Sequence, residues 1–378
     1  MELSPREALI TLNLIPGLGS VRIQALLEHF GSAELVLAAP VQMLEQAPRI
    51  GSKLARAIAS WKDCTNVHAE LACADDHGVR VVTLLDAEYP EALRHMGDPP
   101  IVLYVKGEWQ QADGNRSVAI VGTRSATPYG MTMARRFGRE LADAGCTIIS
   151  GLARGIDTAA HWGALDAGGR TIAVLGNGLA TIFPQENEEL AARICNGHGA
   201  IVSEFPMTLR PGRTTFPQRN RIVAAWSKAT LVAEAPLRSG ALHTASIAAD
   251  YYGNSVFAIP GLADRPSSAG CHALIRDGAI LCTSATELMQ DMRWTQAPRQ
   301  MELFPSDNSP AESERTSHKP ADCADRAAIL SAISAGHDTL DALCSALGMS
   351  AMALTPQLMR LQIERAIIPL PGGRYQQA

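Results

Sequence analysis

The sequence predicts an α/β chain built on an extended Rossmann-like, doubly wound parallel sheet, flanked by a helical N-terminal domain and a winged-helix-like C-terminal domain. Three observations carry this. From about residue 116 to 290, short apolar runs alternate with helical stretches. Residues 1–65 hold helical pattern interrupted by two glycine-rich turns. Residues 323–378 recover helical pattern after a polar stretch with no apolar period. Short, wholly apolar strands separated by helices mean a parallel sheet covered on both faces.

The elements follow in order. In residues 1–65, Ile15-Pro16-Gly17-Leu18-Gly19-Ser20 precedes a helix over Val21–Phe30, and Arg49-Ile50-Gly51-Ser52-Lys53 precedes one over Leu54–Trp61. A glycine turn opening a helix is the helix-hairpin-helix (SAM-like) pattern, whose free backbone N–H groups can hold a DNA phosphate. A small helical domain with ordinary turns has the same pattern, and the sequence leaves both readings open. Residues 66–292 form the Rossmann-like domain. Two runs, Val79–Leu84 and Ile101–Val105, are separated by Asp98-Pro99-Pro100 and extend the sheet at one edge. The central strands are Val118–Val121, Thr147–Ile149, Thr171–Leu175, Ala200–Val202, Thr230–Ala233, Val256–Ile259 and Ala279–Leu281. Helices lie over Met131–Ala144, Ile156–Ala167, Asn187–Asn196 and Ala241–Tyr251. Right-handed crossovers then bring the carboxyl ends of the strands to one rim. Residues 293–322 are polar and Ser/Pro-rich and read as a flexible linker. In 323–378, three helices (near Arg326–Ser334, Thr339–Ala346 and Ala351–Leu361) precede Ile367–Leu370 and Gly372–Tyr375, the winged-helix order. Arg360 and Arg365 are the cations near its third helix, which favours a protein-contact or regulatory role over DNA reading.

A net charge of −5 and a pI near 6.1 exclude a globally basic nucleic-acid binder. The charge is uneven, however. Between Phe205 and Lys228 stand Arg210, Arg213, Arg219, Arg221 and Lys228 with no acid. A local patch can hold phosphate despite a negative total, because screening confines remote charges to about 10 Å. The eight cysteines are scattered without a CxxC pair and read as reduced core residues. No signal peptide or membrane-length apolar run stands out, so a cytoplasmic protein without a membrane role is expected. No acid-rich metal cluster is visible, and no cofactor is implied.

The rim carries the chemistry. One strand ends in Gly122-Thr123-Arg124-Ser125, the next in Ser150-Gly151-Leu152-Ala153-Arg154, and Leu175-Gly176-Asn177-Gly178 forms a third glycine turn. Glycine admits close backbone approach, hydroxyls and amides donate, and a guanidinium forks onto phosphate oxygens. In open α/β sheets this rim is where phosphates bind. Neither GxGxxG nor GxxxxGK[ST] is present, so this is no standard dinucleotide site or P-loop. Arg213-Thr214-Thr215-Phe216-Pro217-Gln218-Arg219-Asn220-Arg221 flanks one aromatic with cations ahead of a helix. Cations track a sugar-phosphate backbone while an aromatic face stacks an unpaired base, at ~1–3 kcal/mol per stack. Phe216 in the core, with its arginines paired to Glu204 or Glu234, is the competing reading. Glu204 and Glu234 end strands and could act as general bases, although capping or ion pairing is the commoner role. His161 and His243 have no evident nucleophile partner.

At these residues the chain resembles the DNA-processing protein A (DprA/Smf) family. The matching strings are Val118–Arg124, Ser150–His161, Phe216–Ile222, Ser239–Ala245, Pro260-Gly261 and Ser268–Ile275. The resemblance spans about residues 75–290. It implies a non-catalytic, single-stranded-DNA-binding, homodimeric protein of natural transformation that protects incoming DNA and helps load RecA recombinase. It also implies that Gly122, Thr123 and Arg124 are the phosphate grip, that Arg213 stands where a lysine is common, and that Phe216 stacks a base. The expected DNA-binding set is Gly122, Thr123, Arg124, Ser125, Gly151, Arg154, Arg213, Phe216, Arg219, Asn220, Arg221, Ser239 and Gly240. The alternative is a Rossmann-like nucleotide phosphoribohydrolase. Its PGGxGT motif and following glutamate are absent: Pro260-Gly261 continues Leu262-Ala263-Asp264, and no acid closely follows Ser239–Leu242.

Overall fold

A computed structural model describes residues 3–294, 322–363, 366–370 and 374–377. The chain divides into two compact units, Met1–Met301 and Glu302–Ala378. All but the ends of the expected linker 293–322 lies outside the described residues, as does Arg365.

The first unit begins with α1 (Pro5–Leu14), α2 (Ser20–Phe30), α3 (Ala33–Ala38), α4 (Val41–Leu44), α5 (Ser52–Ala59), α6 (Trp61–Cys64) and α7 (Val67–Asp76). α1 starts in a capping box, with Ser4 and Glu7 satisfying each other's backbone amides and Pro5 in the first turn. The two glycine-rich turns open α2 and α5, with Gly19 and Gly51 as N-caps. These helices are continuous with the sheet: Leu12, Ile23, Leu26 and Ile58 share one apolar cluster with Val102, Tyr104, Leu175 and Met207. The segments 1–65 and 66–292 therefore pack as one unit.

The sheet and its helices follow as β1 (Arg80–Thr83), α8 (Glu91–Arg94), β2 (Val102–Gly107), β3 (Ser117–Val121), α9 (Pro128–Asp143), β4 (Thr147–Ser150), α10 (Ile156–Asp166), β5 (Thr171–Val174), α11 (Glu188–Arg193), β6 (Gly199–Ser203), α12 (Thr215–Trp226), β7 (Ala229–Val232), α13 (Gly240–Tyr252), β8 (Ser255–Ala258), α14 (Ala269–Arg276), β9 (Ile280–Leu281) and α15 (Ala285–Asp291). The strand order is β1-β2-β6-β5-β4-β3-β7-β8-β9. β3 to β9 are parallel, while β2 is antiparallel to both β1 and β6, making the expected edge extension. Alternation splits the core in two. Val118 and Ile120 face Phe137, Leu141 and Ile156 on α9 and α10. Ala119 and Val121 face Ile222, Val223 and Ala245 on α12 and α13. The chain winds outward from β3 to β6, then α12 carries it back to β7 on the far side of β3. β3 and β7 thus flank the topological switch point, where open α/β sheets bind ligands.

α12 corrects one expectation. Phe216 lies in the first turn of this helix, not in a loop before it. Pro217 is tolerated there because first-turn N–H groups have no intrahelical acceptor.

The second unit contains α16 (Asp322–Ser334), α17 (Leu340–Leu347), α18 (Ala351–Ile363) and an antiparallel ribbon of β10 (Ile367–Leu370) and β11 (Arg374–Gln377). Leu343, Leu354, Leu358, Leu361 and Ile367 form its core. Among the cysteines, Cys146, Cys271 and Cys282 are buried as expected, whereas Cys64 is exposed. Among the described residues, no helix is long and apolar enough to cross a membrane.

Candidate functional site

The turn after β3 is tied down at both ends by one residue. The Thr123 amide donates to the Glu234 carbonyl at 2.8 Å. The Thr127 amide and hydroxyl donate to the two Glu234 carboxylate oxygens at 2.7 and 2.8 Å. Thr127 then caps α9. Arg124 and Ser125 are left exposed at the apex of a fixed turn. The Thr123 amide is committed to protein, so the donors left for a ligand here include the Arg124, Ser125 and Thr123 side chains. Gly122 has a different reason from the expected one. A Cβ there would lie 2.4 Å from Ile156 Cγ1 and 2.7 Å from the Glu234 carbonyl, so packing within the protein requires the glycine. Glu234→Ala should cost about 1–3 kcal/mol by orphaning the Thr127 donors. Urea denaturation measures it, and a loss under ~0.5 kcal/mol, the usual effect of a surface substitution, would count against the anchoring role.

The fold brings Phe216 to this turn. The Arg124 guanidinium carbon sits 4.6 Å from the Phe216 ring centroid, a cation–π contact. The ring is half-buried. A second ring, Phe183, lies 6.1 Å away with its plane tilted by 40°. Ahead of α12, the Thr215 hydroxyl bridges back to Gly212, bracketing Arg213. Arg210 and Arg213 are exposed, and Arg213 makes no ion pair among the described residues. Arg124, Ser125, Arg213 and Phe216 are thus solvent-accessible at the carboxyl rim.

Other expected contacts have structural roles. Arg219 is 4% exposed; its Nη1 donates to the carbonyls of Gly151, at 2.6 Å, and Val174. Asp157, also buried, accepts from the Gly151 and Ala153 amides at 3.1 and 3.3 Å. The two charges face each other across Gly151, whose missing Cβ leaves room for the guanidinium: a Cβ would lie 2.1 Å from Arg219 Nη1. Burial raises the Asp157 carboxyl above its usual range, and the Arg219 charge opposes that rise. Burial lowers Arg219 to about 10, still protonated at neutral pH. Gly151 and Arg219 are therefore beneath the rim and cannot reach a polymer in this conformation. The same holds for Ser150, whose hydroxyl donates to the Ile120 carbonyl. Asn220 is half-buried and accepts from Arg219 Nε at 3.1 Å.

Arg221 is likewise committed. It pairs with Glu204 at 2.5 Å and Asp98 at 3.0 Å and reaches Ser20 on α2 at 3.1 Å. Arg154 is exposed but paired with Glu186 at 2.7 Å; exposed pairs of this kind hold by ~0–1 kcal/mol, so a phosphate can displace the carboxylate. Lys228 leads into β7 at the opposite, amino-terminal rim of the sheet, its amide donating to the Ser117 carbonyl. The linear basic run thus splits into exposed, buried and remote members. Ser239 and Gly240 begin α13 beyond β7, with Ser239 capping that helix.

The carboxylates that could have served as bases are also engaged: Glu234 by Thr127, Glu204 by Arg221. His161 is buried, and burial lowers it to about 3, so it is neutral. Its Nδ1 meets the Thr171 hydroxyl at 2.7 Å, which itself donates to Ile148. Phe183 is absent from the sequence-derived set, yet a signal exists. Thr181-Ile182-Phe183-Pro184-Gln185-Glu186-Asn187 and Thr214-Thr215-Phe216-Pro217-Gln218-Arg219-Asn220 are two copies of T-x-F-P-Q-x-N.

Residues 80–293 match the family model described as DNA recombination-mediator protein A. Residues 312–373 match the DprA winged helix domain, and 7–60 a SAM-like helix-hairpin-helix tandem. The protein Smf of Synechocystis sp. is 32% identical over 96% of this chain and 96% of its own. The structure of DNA processing protein A (DprA) from Streptococcus pneumoniae aligns at 32% identity with a TM-score of 0.65, covering 77% of this chain and 99% of that one. A DNA processing protein A from Helicobacter pylori, described for its single-stranded DNA binding mode, aligns at 31% identity with a TM-score of 0.51, covering 57% and 96%.

Proposed function

Because the chain belongs to the DNA recombination-mediator protein A family, we propose that its sheet rim binds single-stranded DNA without catalysis. Arg124 and Arg213 hold successive phosphates, with Thr123 and Ser125 adding hydroxyl donors. A base stacks on the Phe216–Arg124 pair. The observation that carries this is the exposed Arg124 guanidinium held 4.6 Å over a half-buried aromatic ring at the switch point. A planar cation on a ring offers charge to the backbone and a flat surface to a base. Such a site favours unpaired strands, because duplex bases are already stacked. The single-stranded DNA binding mode described for the Helicobacter pylori neighbour supports the same polymer. As a recombination mediator, the protein acts in the cytoplasm as a homodimer, protecting incoming strands during transformation and passing them to RecA recombinase.

The test is binding of a dT oligomer across a salt series. Arg124→Ala should weaken affinity about 10- to 100-fold, as expected for a charged hydrogen bond of ~1.5–3 kcal/mol. Each of Arg124→Ala and Arg213→Ala should lower the salt slope by about 0.7, the single-strand value per phosphate. Phe216→Ala should weaken binding about 5- to 100-fold. Unchanged affinity in both Arg124→Ala and Phe216→Ala would show that the polymer binds elsewhere.

A further inference from the structure

We propose that Phe183 is a second nucleobase platform, stacking the base next to the one held at the Phe216–Arg124 pair. This rests on the rim binding single-stranded DNA, and adds a subsite and a residue to it. The repeated T-x-F-P-Q-x-N motif places each phenylalanine at the start of a helical segment: Phe183 before the 3-10 turn Gln185–Asn187 that leads into α11, and Phe216 in the first turn of α12. β5 and β6 carry the two copies to one rim, where the rings converge to 6.1 Å. The copies differ in environment. Phe216 has Arg124 over its face and is half-buried, whereas Phe183 is 42% exposed.

The exposure of Phe183 belongs to a pinned loop. Upstream, buried Asn177 donates to the Thr181 carbonyl at 2.8 Å. Downstream, buried Asn187 donates to the Leu152 carbonyl at 2.8 Å and the Thr158 hydroxyl at 2.9 Å. The backbone on both sides of the ring is thereby anchored to the turns after β5 and β4. A large apolar ring held in water by buried hydrogen bonds costs little further ordering when a base covers it, which is how preorganisation raises affinity. Its neighbours fit the ligand. The Arg124 cation lies over the adjoining Phe216 ring, and Glu186, three residues beyond Phe183, holds Arg154 in a loose exposed pair, so backbone charge and base surface are offered by the same rim. Stacking is sequence-tolerant because every base has a π-face, so the platform adds affinity for unpaired strands of any sequence.

The experiment compares two probes of equal length: a dT oligomer, and an oligomer of the same sugar-phosphate backbone with abasic spacers. Phe183→Ala should weaken dT binding about 5- to 100-fold and leave binding of the abasic oligomer unchanged. Phe183→Tyr should retain dT affinity. Phe183→Trp should show a fluorescence change with dT that the abasic oligomer does not produce, which reads the stack even if Phe183→Ala folds poorly. Wild-type dT affinity in Phe183→Ala, or an equal loss on both probes, would overturn the proposal. Arg124→Ala separates the two levels: it should weaken both probes. If it does so while Phe183→Ala does not discriminate them, only the second platform falls. If neither Arg124→Ala nor Phe216→Ala weakens binding, the rim itself is not the binding site.

Discussion

Replacing Arg219 by leucine should remove about 3–5 kcal/mol of folding stability, because it strands a buried carboxylate. Arg219 and Asp157 hold opposite sides of Gly151, one through its carbonyl and the other through its amide. Without the guanidinium, only hydrogen bonds such as those from the Gly151 and Ala153 amides oppose burial at Asp157, and the carboxyl moves further above its usual range. The sign of the pH dependence follows. A carboxyl whose folded pKa exceeds its unfolded value of about 3.9 contributes stability below that value and loses it as pH rises through the folded value. Arg219→Leu should therefore be closest to wild type near pH 5 and fall furthest behind near pH 8. Adding Asp157→Asn should remove that pH trend and recover part of the loss. Urea denaturation at the two pH values measures both. A variant within ~1 kcal/mol of wild type at pH 8, or one that Asp157→Asn does not rescue, would mean that the pair is not the keystone of this turn.

Arg221→Met should give a comparable loss, concentrated where the N-terminal helices meet the sheet. Arg221 neutralises both Glu204 and Asp98 and reaches Ser20 on α2. The Glu204 carbonyl, in turn, accepts from Asn13 on α1 at 3.2 Å. Burial raises both carboxyls above their usual range, and Arg221 opposes the rise in each. Removing it leaves two neighbouring carboxyls, Glu204 mostly buried and Asp98 half-buried, at a cost approaching the ~3–5 kcal/mol of a broken buried pair. By the same sign the penalty is greatest near pH 8, and it eases toward pH 5 as one of them takes up a proton. Amide exchange in α1 and α2 should accelerate at least 10-fold, a factor equal to ~1.4 kcal/mol of local opening. Unaltered exchange there would show that the apolar cluster alone holds the helices to the sheet.

The positions of the strands were legible because parallel strands are buried on both faces. Val118–Val121 and Thr171–Leu175 read as continuous apolar runs, and the structure places strands at Ser117–Val121 and Thr171–Val174. The glycine–threonine–arginine turn was legible because it follows such a run directly. Phe216 stood out as the lone aromatic in a basic segment, although its place inside α12 did not, since Pro217 reads as a break until the first helical turn is known. Phe183 carries no comparable local mark, because its flanking residues hold no basic run; only comparison with the second motif copy singles it out.

The sequence by itself determined the wound sheet, the rim and the Arg124 turn, since these follow from local patterning and the constant handedness of crossovers. Tertiary structure alone decided which cations face solvent. Arg213, Arg219 and Arg221 stand within one short segment, but helix α12 turns them in different directions: Arg213 precedes the helix and stays in water, Arg219 points under β4 and β5, and Arg221 meets Glu204 and Asp98. A guanidinium is neutralised by whatever carboxylate or carbonyl the fold brings within a few ångströms. Those partners come from strands and loops remote in the chain, where no local pattern records them.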